Sequence, residues 1–113
     1  MSADRLADAV IVLTTIGTST DGEALARTLV AEHLAACVNL LPEMQSIYQW
    51  KGELTADGER QLIIKTTRDR LSDVQARIAA LHSYELPEFL VVAATGGSDR
   101  YLRWIEENTD NRI

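Results

Sequence analysis

Three segments decide the fold: Ala35-Ala36-Cys37-Val38-Asn39-Leu40-Leu41-Pro42, Ser46-Ile47-Tyr48-Gln49-Trp50-Lys51-Gly52-Glu53, and Gln61-Leu62-Ile63-Ile64-Lys65-Thr66-Thr67. They read as the two arms of one long antiparallel hairpin. Asp57-Gly58 is the turn signal between them, because that pair tolerates positive φ. On the first arm Ser46, Tyr48, Trp50 and Gly52 share one face, and Ile47, Gln49, Lys51 and Glu53 the other. Pro42 cannot donate to a ladder, so the arm bends there or lies at a sheet edge. The outer half of such a hairpin overhangs any core the rest of the chain can build. It carries Tyr48 and Trp50, and a long edge bearing aromatics invites a second chain. An oligomer is therefore expected.

The flanking sequence completes the pattern. Ala9-Val10-Ile11-Val12-Leu13-Thr14-Thr15 is a near-continuous β-branched run suited to a central strand buried on both faces, followed by a loop at Ile16-Gly17-Thr18-Ser19. Thr20-Asp21-Gly22-Glu23 has capping-box spacing. The helix it opens places Leu25, Ala26, Leu29, Val30 and His33 on one stripe and ends near Leu34. Leu71, Val74, Ile78 and Leu81 recur at helical spacing, and Pro87 is expected to stop that helix within the segment from His82. Phe89-Leu90-Val91-Val92-Ala93-Ala94 reads as another buried strand. Ser98 caps a last helix with Leu102 and Ile105 inward and Tyr101 and Trp104 alongside. Residues 108–113 read as a loose tail. The first six elements are the split βαββαβ order of a ferredoxin-like α+β sandwich, here with an extended hairpin and a C-terminal helix. Helices cover one sheet face. The apolar residues of the other face also need cover, which a partner subunit would supply.

Composition bounds the function. The chain has 113 residues, 46% hydrophobic and 25% charged, as expected of a single domain over residues 1–113. Its formal net charge is −6, which argues against binding to a nucleic-acid backbone. No apolar run reaches the ~18 residues of a membrane span. Met1-Ser2-Ala3-Asp4-Arg5 does not read as a signal peptide, and Cys37 is the sole cysteine. Both point to a reducing, cytoplasmic setting.

Few residues carry chemistry. Cys37 is either a small buried hydrophobe or a soft ligand. His82 is either a helix C-terminal histidine or a neutral imidazole ligand, with Tyr84, Glu85 and Glu88 at hand. His33 has no motif around it. A nucleophile pair of Cys37 with His82 requires the two side chains to meet. No zinc-type pairing of Cys and His exists, so a metal site would join His82, Cys37 and Glu85, assembled between subunits. Cu2+ or Zn2+ are the candidate ions. Tyr48 and Trp50 can stack a flat ligand or pack at an interface. Lys65 can reach a pocket rim and bind an anion, or extend to solvent.

Ala35-Ala36-Cys37-Val38-Asn39, the 46–53 segment, Ile64-Lys65-Thr66-Thr67 and His82-Ser83-Tyr84-Glu85-Leu86-Pro87-Glu88 occur in an order and spacing that resembles the CutA family of divalent-cation tolerance proteins. The likeness runs from about residue 9 to residue 108. It implies a ferredoxin-like fold, a homotrimer built like that of the PII signalling proteins, a part in tolerance of copper and other divalent metals, and no enzymatic reaction. His82-Ser83-Tyr84 stands where the family often has His-Pro-Tyr. Thr14 and Leu81 stand where some copper-linked members carry a cysteine and a second histidine. A PII-like sensor or adaptor using Tyr48, Trp50 and Lys65, without a physiological metal, is the alternative.

Overall fold

The structure is a computed structural model that describes residues 8–110; the reading of residues 1–5 and the last part of the expected tail lie outside that range. Strand β1 (Ala9–Gly17) leads to helix α1 (Gly22–Ala31), then to β2 (Cys37–Trp50) and β3 (Glu53–Thr67). A 3-10 turn at Arg68–Arg70 opens α2 (Leu71–Leu81), followed by β4 (Leu90–Ala93) and α3 (Asp99–Asn108). The sheet order is β2-β3-β1-β4, with every neighbouring pair antiparallel. This is the expected ferredoxin-like α+β arrangement. β1 is central, and its hydrophobic run continues through Ile16 and Gly17, which extend the strand instead of forming a loop.

The hairpin turns elsewhere than the Asp57-Gly58 signal. Trp50 pairs with Glu53, so Lys51 and Gly52 form a two-residue turn with φ of 50° and 82°. Positive φ at both central residues is the turn whose twist matches paired strands. Asp57 and Gly58 lie within β3, opposite Ser46 and Gln45. Their local preference loses because register is set by the buried face. Val38 must meet Ile64, and Leu40 must meet Leu62. Pro42 acts as anticipated. β2 is an edge strand, and its register shifts between Leu40 and Glu43, where the missing N–H would otherwise break a ladder.

This placement is testable. A Cβ at Gly52 meets open space but sits at φ +82°, so Gly52→Ala lowers stability by about 1 kcal/mol through backbone strain alone. Gly58→Ala, in extended backbone, is neutral or slightly stabilising. Urea midpoints of the two variants check it. The reverse ranking would move the turn to residues 57–58.

Helices α1 and α2 cover one sheet face. Val12, Ile16, Leu62 and Ile64 project toward Leu25 and Leu29 of α1 and Val74 and Ile78 of α2, and all are buried. The cap of α1 is Asp21, whose side chain accepts from the Ala24 N–H at 3.0 Å. Thr20, the expected cap, instead lies 3.3 Å from the Ser83 hydroxyl. The helix closes before His33, which takes φ 60°, and Val30 is exposed. The stripe expected to include those two residues therefore ends at Leu29. α2 stops at Leu81, well before Pro87, as His82 adopts extended backbone and the exposed Leu81 leaves the core. Ser98 caps α3 by accepting from the Tyr101 N–H at 3.2 Å. α3 buries Ile105 with Ala9 and Ala36. The expected tail begins later than residue 108: Asn108 is helical, and Thr109 is buried with its hydroxyl donating to the Ile105 carbonyl at 2.9 Å.

β4 was expected to be buried. Every residue of it is exposed, because it pairs only with β1 and forms the second sheet edge. The face opposite α1 and α2 carries Ile11, Leu13, Ile63, Leu90 and Val92 in adjoining register. Ile11, Leu13 and Ile63 are only half-buried there.

Candidate functional site

The overhang of the hairpin and the segment 83–90 enclose a cleft of about 860 Å³. Two structural features create it. The two-residue turn keeps β2 and β3 paired far beyond the helices. The extended backbone at His82 directs the following residues back under that overhang. His82 is fixed from both sides of its ring. Nε2 lies 2.5 Å from the Thr15 carbonyl oxygen, and Nδ1 accepts from the Tyr84 N–H at 3.1 Å. A carbonyl only accepts, so the proton is on Nε2 and the ring is the neutral tautomer. Tyr84 then reaches across Gly17, where a Cβ would stand 3.1 Å from its hydroxyl oxygen. Its hydroxyl donates to Glu59 at 2.8 Å.

Glu59 is 6% exposed and lines the cleft. Its neighbour on the same face, Gln61, donates to the Thr14 carbonyl at 2.7 Å and to Glu88 at 3.0 Å. Burial, reinforced by the hydrogen bond to Glu59, pushes the Tyr84 phenol well above its ordinary range. Tyr48 donates to Asp57, and that bond raises its phenol as well. Both hydroxyls therefore stay protonated at neutral pH and serve as donors. At the mouth, Lys51 Nζ lies 3.6 Å from Glu85 and 5.6 Å from the centroid of Trp50.

The residues singled out in the sequence fall into two groups. Tyr48, Trp50 and Glu85 line the cleft, and His82 anchors the segment beside it. Cys37 and Lys65 lie elsewhere, as direct cross-strand partners on the open sheet face. Lys65 donates to the Tyr101 hydroxyl at 3.4 Å, so it does not join Tyr48 and Trp50. Cys37 aligns through Lys65 with Ile11, whereas His82 touches Thr15 four residues along β1 and two strands away. Strand geometry puts that separation on the order of 15 Å. The nucleophile pair of Cys37 with His82 is thus not formed within a chain. Thr14 is fully buried toward the helices, its hydroxyl without a hydrogen-bond partner among the described residues. His33 Nδ1 lies 3.3 Å from the Asn108 carbonyl.

Glu59 and Gln61 were not anticipated as site residues. Their signal was a change along one strand face, from the apolar Ile63 to Gln61 and Glu59 toward the overhang. As for a metal, no group of three or more His, Cys, Asp or Glu able to hold an ion occurs among the described residues. Both His82 nitrogens are already engaged. The described residues of one chain bring no metal centre together.

Comparison with known proteins places the chain. The family described as CutA1 divalent ion tolerance protein matches residues 10–108. The chain belongs to the CutA family. It is 40% identical over 99 residues to the divalent-cation tolerance protein CutA of Thermus thermophilus, covering 88% of this chain and 96% of that one. It is 38% identical over 109 residues to the chloroplastic protein CutA of Arabidopsis thaliana, covering 96% of this chain and 60% of the plant protein. Among solved structures, the Thermus thermophilus protein superposes with a TM-score of 0.87 at 39% identity, over 90% of this chain and 99% of that one. CutA from Xylella fastidiosa also gives 0.87, at 38% identity, over 91% and 99%. Two features of this CutA chain are now fixed side by side: an uncovered apolar sheet face, and an acidic, aromatic cleft at the end of that face. Among the described residues no helix is long and apolar enough to cross a membrane.

Proposed function

We propose that this CutA protein serves in divalent-cation tolerance as a non-enzymatic cytosolic homotrimer of single-domain chains that holds Cu2+ or Zn2+ weakly at clefts between subunits. The observation that supports this reading is the pairing of an open apolar face and edge strand β4 with a carboxylate-lined cleft beside them. A second subunit docking on that face would bring its own side chains to His82 and Glu85, and Cys37 of one chain would approach the cleft of another. Ligation by His82 requires its ring to release one of its two backbone bonds, which accords with weak binding.

Calorimetric titration of metal-free protein with Cu2+ and Zn2+ tests it, with oligomer mass measured on each sample. Saturable binding is expected, weakened about tenfold or more in His82→Ala of unchanged mass. Equal binding in both proteins removes His82 from the site, and no saturable binding in either ends the metal reading. The aromatic lining of the cleft supports a second reading, a PII-like sensor or adaptor that takes a small molecule there without a physiological metal.

A further inference from the structure

We infer that the cleft between the hairpin overhang and residues 83–90 is a binding site for a small organic cation, an ammonium or guanidinium group carried on a flat or apolar body. This rests on the small-molecule reading of the cleft and names its ligand class. The volume of about 860 Å³ suits a small organic molecule. The walls are aromatic, with Tyr48, Trp50 and Tyr84 among them, and aromatic faces attract cations.

Charge selects the sign of the ligand. Glu59, Glu85 and Glu88 line the cleft, and among the described residues of the chain no Lys, Arg or His does. Glu59 and Glu88 are held by neutral donors, Tyr84 and Gln61, so their negative charge is not cancelled within the cleft. No three acidic or imidazole groups converge as a metal ion would require, among the described residues. The charge is spread along a wall instead, which matches an extended organic cation better than a bare ion. The chain itself shows what the mouth accepts. Lys51 places its ammonium against the Trp50 ring and Glu85. That ammonium sits on an exposed side chain at the rim, and the volume behind it is open. An anion, the ligand suggested by grouping Lys65 with Tyr48 and Trp50, finds among the described residues only Lys51 at the rim, already set against Glu85, since Lys65 is engaged with Tyr101 on the open face.

The test is calorimetric titration of the intact, metal-stripped protein with three probes of like shape: phenethylamine, phenethyl alcohol and phenylacetate. Saturable binding of the amine is expected, about tenfold or more tighter than the alcohol, with phenylacetate not bound. Glu59→Gln keeps an acceptor for Tyr84 and should weaken the amine about tenfold. Lys51→Met removes the competing ammonium and should tighten it a few-fold. Opposite signs for these two variants would not arise from a general loss of structure. Equal or tighter phenylacetate binding, an unchanged affinity in Glu59→Gln, or binding of none of the probes overturns the inference. The Cu2+ and Zn2+ titrations are read on separate samples. Amine binding without metal binding sinks only the metal reading, and the converse sinks only this inference.

Discussion

Leu62→Ala is expected to destabilise the folded chain by about 3 kcal/mol, within the range of roughly 2–5 kcal/mol for buried leucine truncations. Leu62 is fully buried at the centre of the sheet, between Thr14 of β1 and Leu40 of β2, and it faces the helices. Its removal leaves a void bounded by two paired strands and two packed helices. Sheet positions cannot close such a void without breaking ladder hydrogen bonds, so the cavity persists. For a chain of this size the loss corresponds to a fall in Tm on the order of 10–20 °C. Val30→Ala on the exposed side of α1 is the control, expected within about 0.5 kcal/mol of the parent. Thermal and urea unfolding at one protein concentration measure both. A loss for Leu62→Ala no larger than for Val30→Ala would mean that the core is not centred on β3.

Val92→Asp is expected to bring the assembly down to single chains. Val92 is 48% exposed in the isolated chain and lies on the open face beside Ile11. In the proposed trimer that face is covered, and each subunit would then bury an unpaired carboxylate at a cost of several kcal/mol. Across three contacts this exceeds what an interface of ordinary size can absorb. Mass measured by light scattering should fall from that of three chains to that of one. Val30→Asp, on the helix side, should leave the mass unchanged. A Val92→Asp protein of parental mass would show that β4 and the open face take no part in assembly.

The fold was largely readable because two patterns are strong. The near-continuous apolar, β-branched run from Ala9 to Thr15 and the Leu62 to Ile64 run marked strands that need cover. The spacing of Leu25 with Leu29, and of Val74 with Ile78, marked the helices that cover them. Misreadings arose where a local preference competed with a distant contact. Asp57-Gly58 favours a turn, yet packing of Val38 and Leu40 on Ile64 and Leu62 draws it to Lys51-Gly52. Thr20 has the residue type and spacing of a cap, yet Asp21 sits where the backbone enters the helix. Phe89 to Ala94 has the composition of a buried strand, but composition does not say whether the covering surface is the same chain or another.

The candidate site shows the same division. Tyr48, Trp50, Glu85 and His82 could be singled out because aromatic, acidic and imidazole side chains stand out in one dimension. Glu59 belongs to none of the segments singled out in the sequence, and only the path of the 83–90 segment buries it under Tyr84. Residue types and their spacing determined the element order, the ferredoxin-like topology, the family and the presence of one free cysteine, since these depend on local backbone preference and on which faces are apolar. Tertiary structure alone decided the turn position, the exposure of β4, the distance between Cys37 and His82, and the grouping of Glu59 with Tyr84. Each of those depends on contacts between residues far apart in the chain, whose geometry is set by how the sheet and helices pack together and not by any segment taken singly.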